Sequence, residues 1–502
     1  MLLGLDISTT GAKAILINTQ GQMLHASSHT YPISTPRPLW SEQNPEDWWL
    51  AARHSIQDVL SQPGIDPTQI KAIGLTGQMH GLVLLDAQDN ILRPAILWND
   101  QRTAKACEAI SHKIGVDKLI AITGNPALTG FTAPKLLWVR ENEPEIYNRI
   151  AHILLPKDYI RFMLSGDKAV DCADASGTSL FDITRRAWSR DILSVLEIDP
   201  QWLPTVYEGT EITGSVSSKG EKLTGLPAGV PIVGGGGDQA AQAVGVGAVS
   251  PGIVAVTLGT SGVVFAPTGS PVIDPKGRLH AMCHSLPPGE DQGWHLMGVM
   301  LSAGGSLSWL RESFAPDSDY TKFLEPAEEI PPGSEGLIFL PYLTGERTPH
   351  PDPLARGCFI GLTTRHRLPH MTRAVLEGVA FGLRDSMALL KQTGLDEIRQ
   401  VRLSGGGSRS PLWRQILADV MDVDMVTVNT TEGACYGAAL LAGVGVGVWS
   451  SAKEACHGTI KTLTRTKPLA ENIPVYDSYY DDYRRLYPAL KDIFKSITTK
   501  TM

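Results

Sequence analysis

No run of five or six basic residues occurs in this 502-residue chain, and its formal net charge is −8. That excludes the electrostatic footprint of a nucleic-acid or anionic-membrane surface. No apolar run reaches the length of a membrane span, so no membrane partner is expected. The opening "MLLGLDI" has no basic segment before it and no cleavage site, so no signal peptide is expected. Cysteine is scarce. Cys107, Cys172, Cys283, Cys358, Cys435 and Cys456 are scattered, and no C-x-x-C occurs. This usage points to reduced thiols in a cytoplasmic protein, not to a disulfide framework or a zinc site. The phosphate-loop pattern G-x-x-x-x-G-K-[ST] is absent too.

Glycine and proline are abundant instead, at 50 and 34 residues, and they punctuate short apolar runs along the whole chain. Runs such as "LLGLDI", "AKAILIN", "IKAIGLTG", "IVAVTLG" and "QVRLSG" read as strands, and longer helical patterns alternate with them. Asn44-Pro45-Glu46-Asp47 combines a cap residue, a first-turn proline and two acids, a helix start. "MTRAVLEGVAFGLRDSMALLKQTG" predicts a second long helix that stops at Gly394. The tyrosines at 476, 480, 483 and 487 recur at helical spacing, which predicts a terminal helix packing an aromatic face on the body. The alternation implies an α/β protein with mixed sheets.

"LLGLDISTTGAKAILIN" has an echo in "IVAVTLGTSGVVFAP", half a chain later. Each is an apolar strand, a turn of glycine and hydroxyl residues, and a second apolar strand. Two such turns, with Thr9, Thr10, Thr260 and Ser261, can grip a polyphosphate from two sides. Asp6 at the first turn would repel an anion unless a cation lay between them. Phosphoryl transfer needs that grip, a divalent cation and a base for the acceptor hydroxyl, and Asp6 and Asp238 are the residues that could hold the cation.

Asp238 lies in "VGGGGDQAAQAVGVG", where Gly235-x-Gly237-x-x-Ala240 fits a relaxed dinucleotide fingerprint. That reading needs an acid or an arginine further on, yet Gln239 to Ile273 contains no charged residue. What remains is a carboxylate heading an alanine-rich helix, either its cap or a general base. "VRLSGGGSRS" places Gly405, Gly406 and Gly407 where backbone can approach a ligand or pack a helix tightly on a strand. Met79 and His80 in "TGQMHG" follow an apolar strand, a setting for a ligand loop and also for a structural histidine. "YLTGERTPH" is a further polar loop with no assigned task.

Taken together, these segments resemble the FGGY carbohydrate kinases, and among them the xylulokinases. "GFTAPKLLWVRENEP" and "GCFIGLTTRHRLPHMTRAVLEGV" look like the two family signatures. "WSEQNPEDWW", "GQMHG", "RPAILWNDQR", "LLPKDYIR", "VGGGGDQAA", "LGTSGV", "FLPYLTGERTPH", "LSGGGSRS" and "EGACYGAALLAG" follow in the family order. The resemblance implies two ribonuclease-H-like domains of the actin–hexokinase–heat-shock-ATPase type flanking a cleft. It implies a sugar- and phosphate-binding domain over 1–247, an ATP-binding domain over 248–446, and a helical extension over 447–502. It implies ATP-dependent phosphorylation of D-xylulose, with another ketose or polyol such as ribulose as the alternative. A non-catalytic sugar or nucleotide sensor is the reading from a different class, and the presence of Asp6, Lys13 and Asp238 argues against it. By likeness, Asp238 is the proton acceptor, and Asp6 with Asp238 positions Mg²⁺. Met79, His80, Asp238 and Gln239 meet the sugar. Thr9, Thr10, Lys13, Gly259 and Thr260 surround the phosphates of ATP, and Gly304, Gly406 and Gly407 border its adenosine. A homodimer is the assembly that this reading allows. Two positions depart from the family pattern: Ser8 stands where relatives often have glycine, and Gln239 where some have asparagine.

Overall fold

The computed structural model describes residues 1–289, 292–395 and 397–500. Thr501 and Met502, the end of the expected extension, lie outside the described residues. The duplicated hairpin is the centre of two duplicated sheets. In the first half, β1 (Leu2–Ile7) pairs antiparallel with β2 (Gly11–Ile17), and β2 with β3 (Met23–Thr30). On its other side β1 pairs parallel with β4 (Ala72–Gly77). Then come β5 (Ile212–Ser215) and β6 (Pro231–Val233), with the two-residue β7 (Gly236–Gly237) also on β4. The strand order is β5-β6-β4-β1-β2-β3.

The second half repeats the plan. Strands β8 (Ile253–Leu258) and β9 (Gly262–Thr268) form the echoing hairpin. β10 (His280–Cys283) and β11 (Trp294–Met300) extend it on one side. β12 (Gln400–Ser404), β13 (Met425–Val428) and β14 (Thr462–Thr466) extend it on the other. The order is β10-β11-β9-β8-β12-β13-β14. In both sheets an antiparallel hairpin leads into parallel strands and ends on an antiparallel edge. The segment after residue 446 is therefore not purely helical, since β14 closes the second sheet.

The helices cover these sheets as their patterns direct. α1 (Pro45–Leu60) starts where Asn44 accepts a hydrogen bond from the Glu46 N–H, and it buries Trp48, Ala52, Ile56 and Val59. α2 (Pro156–Ser165) and the short α3 (Cys172–Ser176) flank the first sheet. α4 (Asp238–Gly245) leads from β7 towards the second half. There α5 (Gly304–Phe314), α6 (Tyr320–Glu328), α7 (Leu368–Gln392) and α8 (Pro411–Met421) surround the second core.

α9 (Gly433–Gly445) belongs to the second half by sequence order but packs under the first sheet. Cys435, Tyr436, Ala439 and Leu440 share a core with Leu2, Ile15 and Ala72. The approach needs glycine on both sides. A Cβ on Gly4 or Gly74 would stand 2.1 and 1.9 Å from the Cys435 and Ala438 carbonyl oxygens. α9 also crosses α4 at Gly245 and Gly437, where a Cβ would meet the Gly433 and Ala241 carbonyl oxygens at 1.8 and 1.9 Å. The terminal helix α10 (Ile473–Thr499) buries Tyr476, Tyr480 and Tyr483 against the second core.

Candidate active site

Directly paired residues of neighbouring strands share a face of a sheet. The register places Lys13 and Thr76 beside Asp6, and Gly236 beside Thr76 on its far side. One row across the strand ends thus holds Asp6, Lys13 and Thr76, and the chain turns from Gly237 straight into Asp238 at the head of α4. Within that row the Asp6 Oδ1 and Thr76 Oγ1 atoms are buried and unpartnered. Buried polar atoms are ordinarily satisfied, so this row is built for a polar occupant. Thr76 opens "TGQMHG", but sequence reasoning gave it no role. Only its strand register brings it here.

The two carboxylates perturb one another. Asp238 is pushed up to about 6, chiefly by burial, while its hydrogen bonds with Gln239 pull it back down. Asp6 is pushed up to about 7, first by burial and then by the charge of Asp238, against the pull of Lys13. Lys13 reaches out of the row to Glu432, just before α9, at 2.5 Å, an ion pair joining the two halves. Hydrogen bonding and charge from Glu432 outweigh burial and raise the Lys13 pKa.

The first turn is held from inside and outside. Ser8 donates its hydroxyl to the Gly11 carbonyl at 2.8 Å, and the Ser8 carbonyl accepts from the Tyr31 hydroxyl at 2.5 Å. The Ser8 side chain therefore closes its own turn. Thr9 accepts from Trp98 Nε1 at 3.0 Å, and its carbonyl accepts from Gln43 Nε2 at 2.7 Å. Gln43 in turn accepts from Trp48 and Gln78. "WSEQ" and "WNDQR" thus support the turn: the carboxylate of Glu42 pairs with Arg93 and with Arg102, whose guanidinium also holds Asp100. Thr10 is exposed at the tip.

The second turn docks on the start of α5. The Gly304 and Gly305 N–H groups donate to the Gly259 and Thr260 carbonyls at 2.8 and 3.0 Å. Beside this turn lies a cavity of about 570 Å³. Gly259, Thr260, Gly304, Gly406 and Gly407 all line it, five of the residues expected around a nucleotide. Tyr320, Thr321 and Leu324 of α6, with Arg409 and Pro411, complete the wall. Sequence reasoning missed these, because α6 contributes single side chains with no local pattern. Thr9, Thr10 and Lys13 stand at the other turn, outside this cavity.

Met79 and His80 follow β4 on the Asp238 side. The Met79 side chain lies against Gly237, where an added Cβ would sit 2.7 Å from Met79 Cγ. His80 holds a left-handed backbone (φ 67°), an uncommon conformation that ordered surroundings must enforce. Thr132 and Lys135 do so by donating to its carbonyl at 3.1 and 2.9 Å. Its ring stacks on Phe131 at 4.4 Å, and Nδ1 lies 2.7 Å from the Gly177 carbonyl. A carbonyl only accepts, so Nδ1 carries the proton and Nε2 presents a lone pair. Burial drives the His80 pKa down to about 3, so the ring is neutral.

A divalent cation fits this chemistry. Two carboxylates, one with an unpartnered buried oxygen, form a hard oxygen donor set next to a polyphosphate grip. Among the described residues no cluster of three or more His, Cys, Asp or Glu could hold a metal. No helix among the described residues is long and apolar enough to cross a membrane.

Comparison with known proteins gives a consistent result. Models of the FGGY family of carbohydrate kinases match residues 1–245 (N-terminal domain) and 254–446 (C-terminal domain). The chain is 42% identical to a xylulose kinase of Escherichia coli (strain K12), over 98% of this chain and 99% of that protein. It is 38% identical to a xylulose kinase of Bacillus subtilis (strain 168), over 98% and 97%. The crystal structure of a xylulose kinase from Rhodospirillum rubrum superposes with a TM-score of 0.91 at 30% identity, covering 98% of this chain and 99% of that one.

Proposed function

Because the chain belongs to the FGGY family of carbohydrate kinases, we propose that it transfers the γ-phosphoryl group of ATP to O5 of D-xylulose. Full-length likeness to xylulose kinases supports the choice of sugar. The mechanism rests on one observation: a carboxylate raised by burial, Asp238, heads a helix close enough to the row of Asp6 and Lys13 for its charge to act on Asp6.

With a pKa of about 6, Asp238 is ionised at neutral pH yet basic enough to take a hydroxyl proton. As the O5 proton passes to Asp238, O5 bonds to the γ-phosphorus. The bond from phosphorus to the bridging oxygen breaks, and its electron pair leaves with ADP. His80 offers Nε2 to a sugar hydroxyl, Met79 provides an apolar wall, and Gln239 provides an amide. Lys13 and the two turns, with Thr9, Thr10, Gly259 and Thr260, hold the phosphates. Gly304, Gly406 and Gly407 border the adenosine in the second-half cavity. Asp6, with Asp238, would hold Mg²⁺, whose charge offsets that of the polyphosphate beside the carboxylates. Scarce cysteines, all free of disulfides, suit a cytoplasmic enzyme.

A coupled ADP-release assay over pentuloses, hexuloses, glycerol and gluconate tests this reading. D-Xylulose gives the highest kcat/KM, and Asp238→Ala lowers it roughly thousandfold, within the range for loss of a general base. Absence of turnover on every acceptor would refute the kinase, and undiminished turnover in Asp238→Ala would remove the assigned base.

A further inference from the structure

The loop Glu346-Arg347-Thr348 has no place in the mechanism above, yet it is tied down on three sides. The Thr348 N–H donates to the Val299 carbonyl at 3.0 Å, and its hydroxyl donates to the Arg278 carbonyl at 2.9 Å. Glu346 Oε1 accepts from the Leu301 and Arg347 N–H groups at 3.0 and 2.7 Å. These contacts put Arg347 between the end of β11 and the start of β10. β10 begins at His280, whose ring lies 6.0 Å from the Phe131 ring, and Phe131 stacks on His80. A second-half loop therefore reaches the wall of the first-half sugar pocket.

The neighbours of Arg347 leave its guanidinium without a paired acceptor, although the charge of Glu346 acts on it. Among the described residues its guanidinium makes no hydrogen bond or ion pair, although the residue is only half-exposed. Glu346 acts on Arg347 by its charge, against the effect of burial, but makes no ion pair with the guanidinium. Its Oε1 is taken by backbone amides, its Oε2 is buried and unpartnered, and burial pushes its pKa up to about 8. His280 donates Nδ1–H to Asn125 Oδ1 at 2.6 Å, and burial and the Arg347 charge keep its ring neutral. The same charge helps keep His80 neutral, whereas burial and Gln239 are what act on Asp238. A half-buried guanidinium without a partner is costly unless a ligand supplies acceptors.

We propose that Arg347 is a substrate-contacting specificity residue, donating hydrogen bonds to the carbonyl and hydroxyl oxygens at the sugar end remote from Asp238. Its charge acts on His80 and His280 but is not among the influences on Asp238, which assigns it to the C1–C2 end of a pentulose whose O5 faces Asp238. This rests on the sugar-kinase reading above. In that reading the second half supplies not only the nucleotide site but one end of the sugar site.

The test compares Arg347→Gln and Arg347→Lys with the unaltered enzyme, on D-xylulose or on whichever acceptor of the panel that enzyme phosphorylates best. In Arg347→Gln the KM for the sugar rises at least about tenfold, the usual scale for losing a hydrogen bond to a charged donor. The KM for ATP and the sugar-independent hydrolysis of ATP stay within about twofold, since the nucleotide contacts are untouched. Arg347→Lys, which keeps a cationic donor, recovers part of the loss. Thermal melting confirms that each variant is folded. If it shows Arg347→Gln unfolded, Arg347→Lys decides through the same split between sugar and ATP. An unmoved sugar KM in a folded variant overturns the assignment, and so does a defect confined to the KM for ATP. An unaltered enzyme inactive on every acceptor refutes the kinase reading instead, so the two failures are distinguishable.

Discussion

At the scale of single residues the site is a balance of buried charge. Asp6 titrates at about 7 in the fold against 3.8 when unfolded. Between those values the native state binds the extra proton, so stability is highest at acid pH and falls as pH rises through about 7. The group the mechanism needs ionised thus costs the fold stability at neutral pH. Asp6→Asn in metal-free protein is therefore expected to raise stability at both pH 5 and pH 8, and by on the order of 2–3 kcal/mol more at pH 8, because the unfolded carboxyl is already ionised at pH 5. Denaturant unfolding at the two pH values measures this, and equal shifts at both would contradict it. For Asp238 the consequence is kinetic: kcat/KM falls as pH drops below about 6, where the base takes a proton. A pH–rate profile flat to pH 5 would exclude Asp238 as the titrating base.

At the scale of elements the crossing of α4 and α9 positions the chemistry. Asp238 opens α4, Glu432 precedes α9, and the helices meet through Gly245, Gly433 and Gly437 with no room for a Cβ. Gly437→Val would press on the Ala241 carbonyl and part the helices. It is expected to cost about 1–3 kcal/mol, the usual scale of overpacking, and to lower kcat by displacing Asp238. Thermal melting and turnover on one preparation test this, and a variant with unchanged melting would show that the crossing yields. The elements themselves were legible because their causes are local. Strand–turn–strand periodicity revealed both hairpins, the Asn44 cap the start of α1, and the tyrosine spacing the buried face of α10. The crossing was not legible, because a run such as "GACYGAALLAG" shows small residues but not what lies against them. Nor were Thr76, Tyr320 and Arg347, brought in by strand register, a helix and a loop from distant parts of the chain. Ser8 was legible only as a departure. Its hydroxyl folds back onto the Gly11 carbonyl beside the Ser8 N–H that already donates there, which explains how a side chain fits in the turn.

At the scale of the whole molecule neither half is sufficient. The carboxylates, Lys13, Met79 and His80 come from the first half, and the cavity proposed for the nucleotide is lined wholly by the second. Transfer requires both substrates to be drawn together, and exclusion of water then protects ATP from hydrolysis. Small-angle scattering should show a smaller radius of gyration with D-xylulose and a non-hydrolysable ATP analogue together than with either alone. Identical curves in all states would mean that the reacting groups already stand together. Where such a motion can occur follows from how the turns are held. The first is bolted by Ser8, Tyr31, Gln43 and Trp98, and the second by the start of α5. Neither turn is a flap. The closing motion is therefore expected between the halves, about the glycine-lined crossing of α4 and α9, and not within either turn.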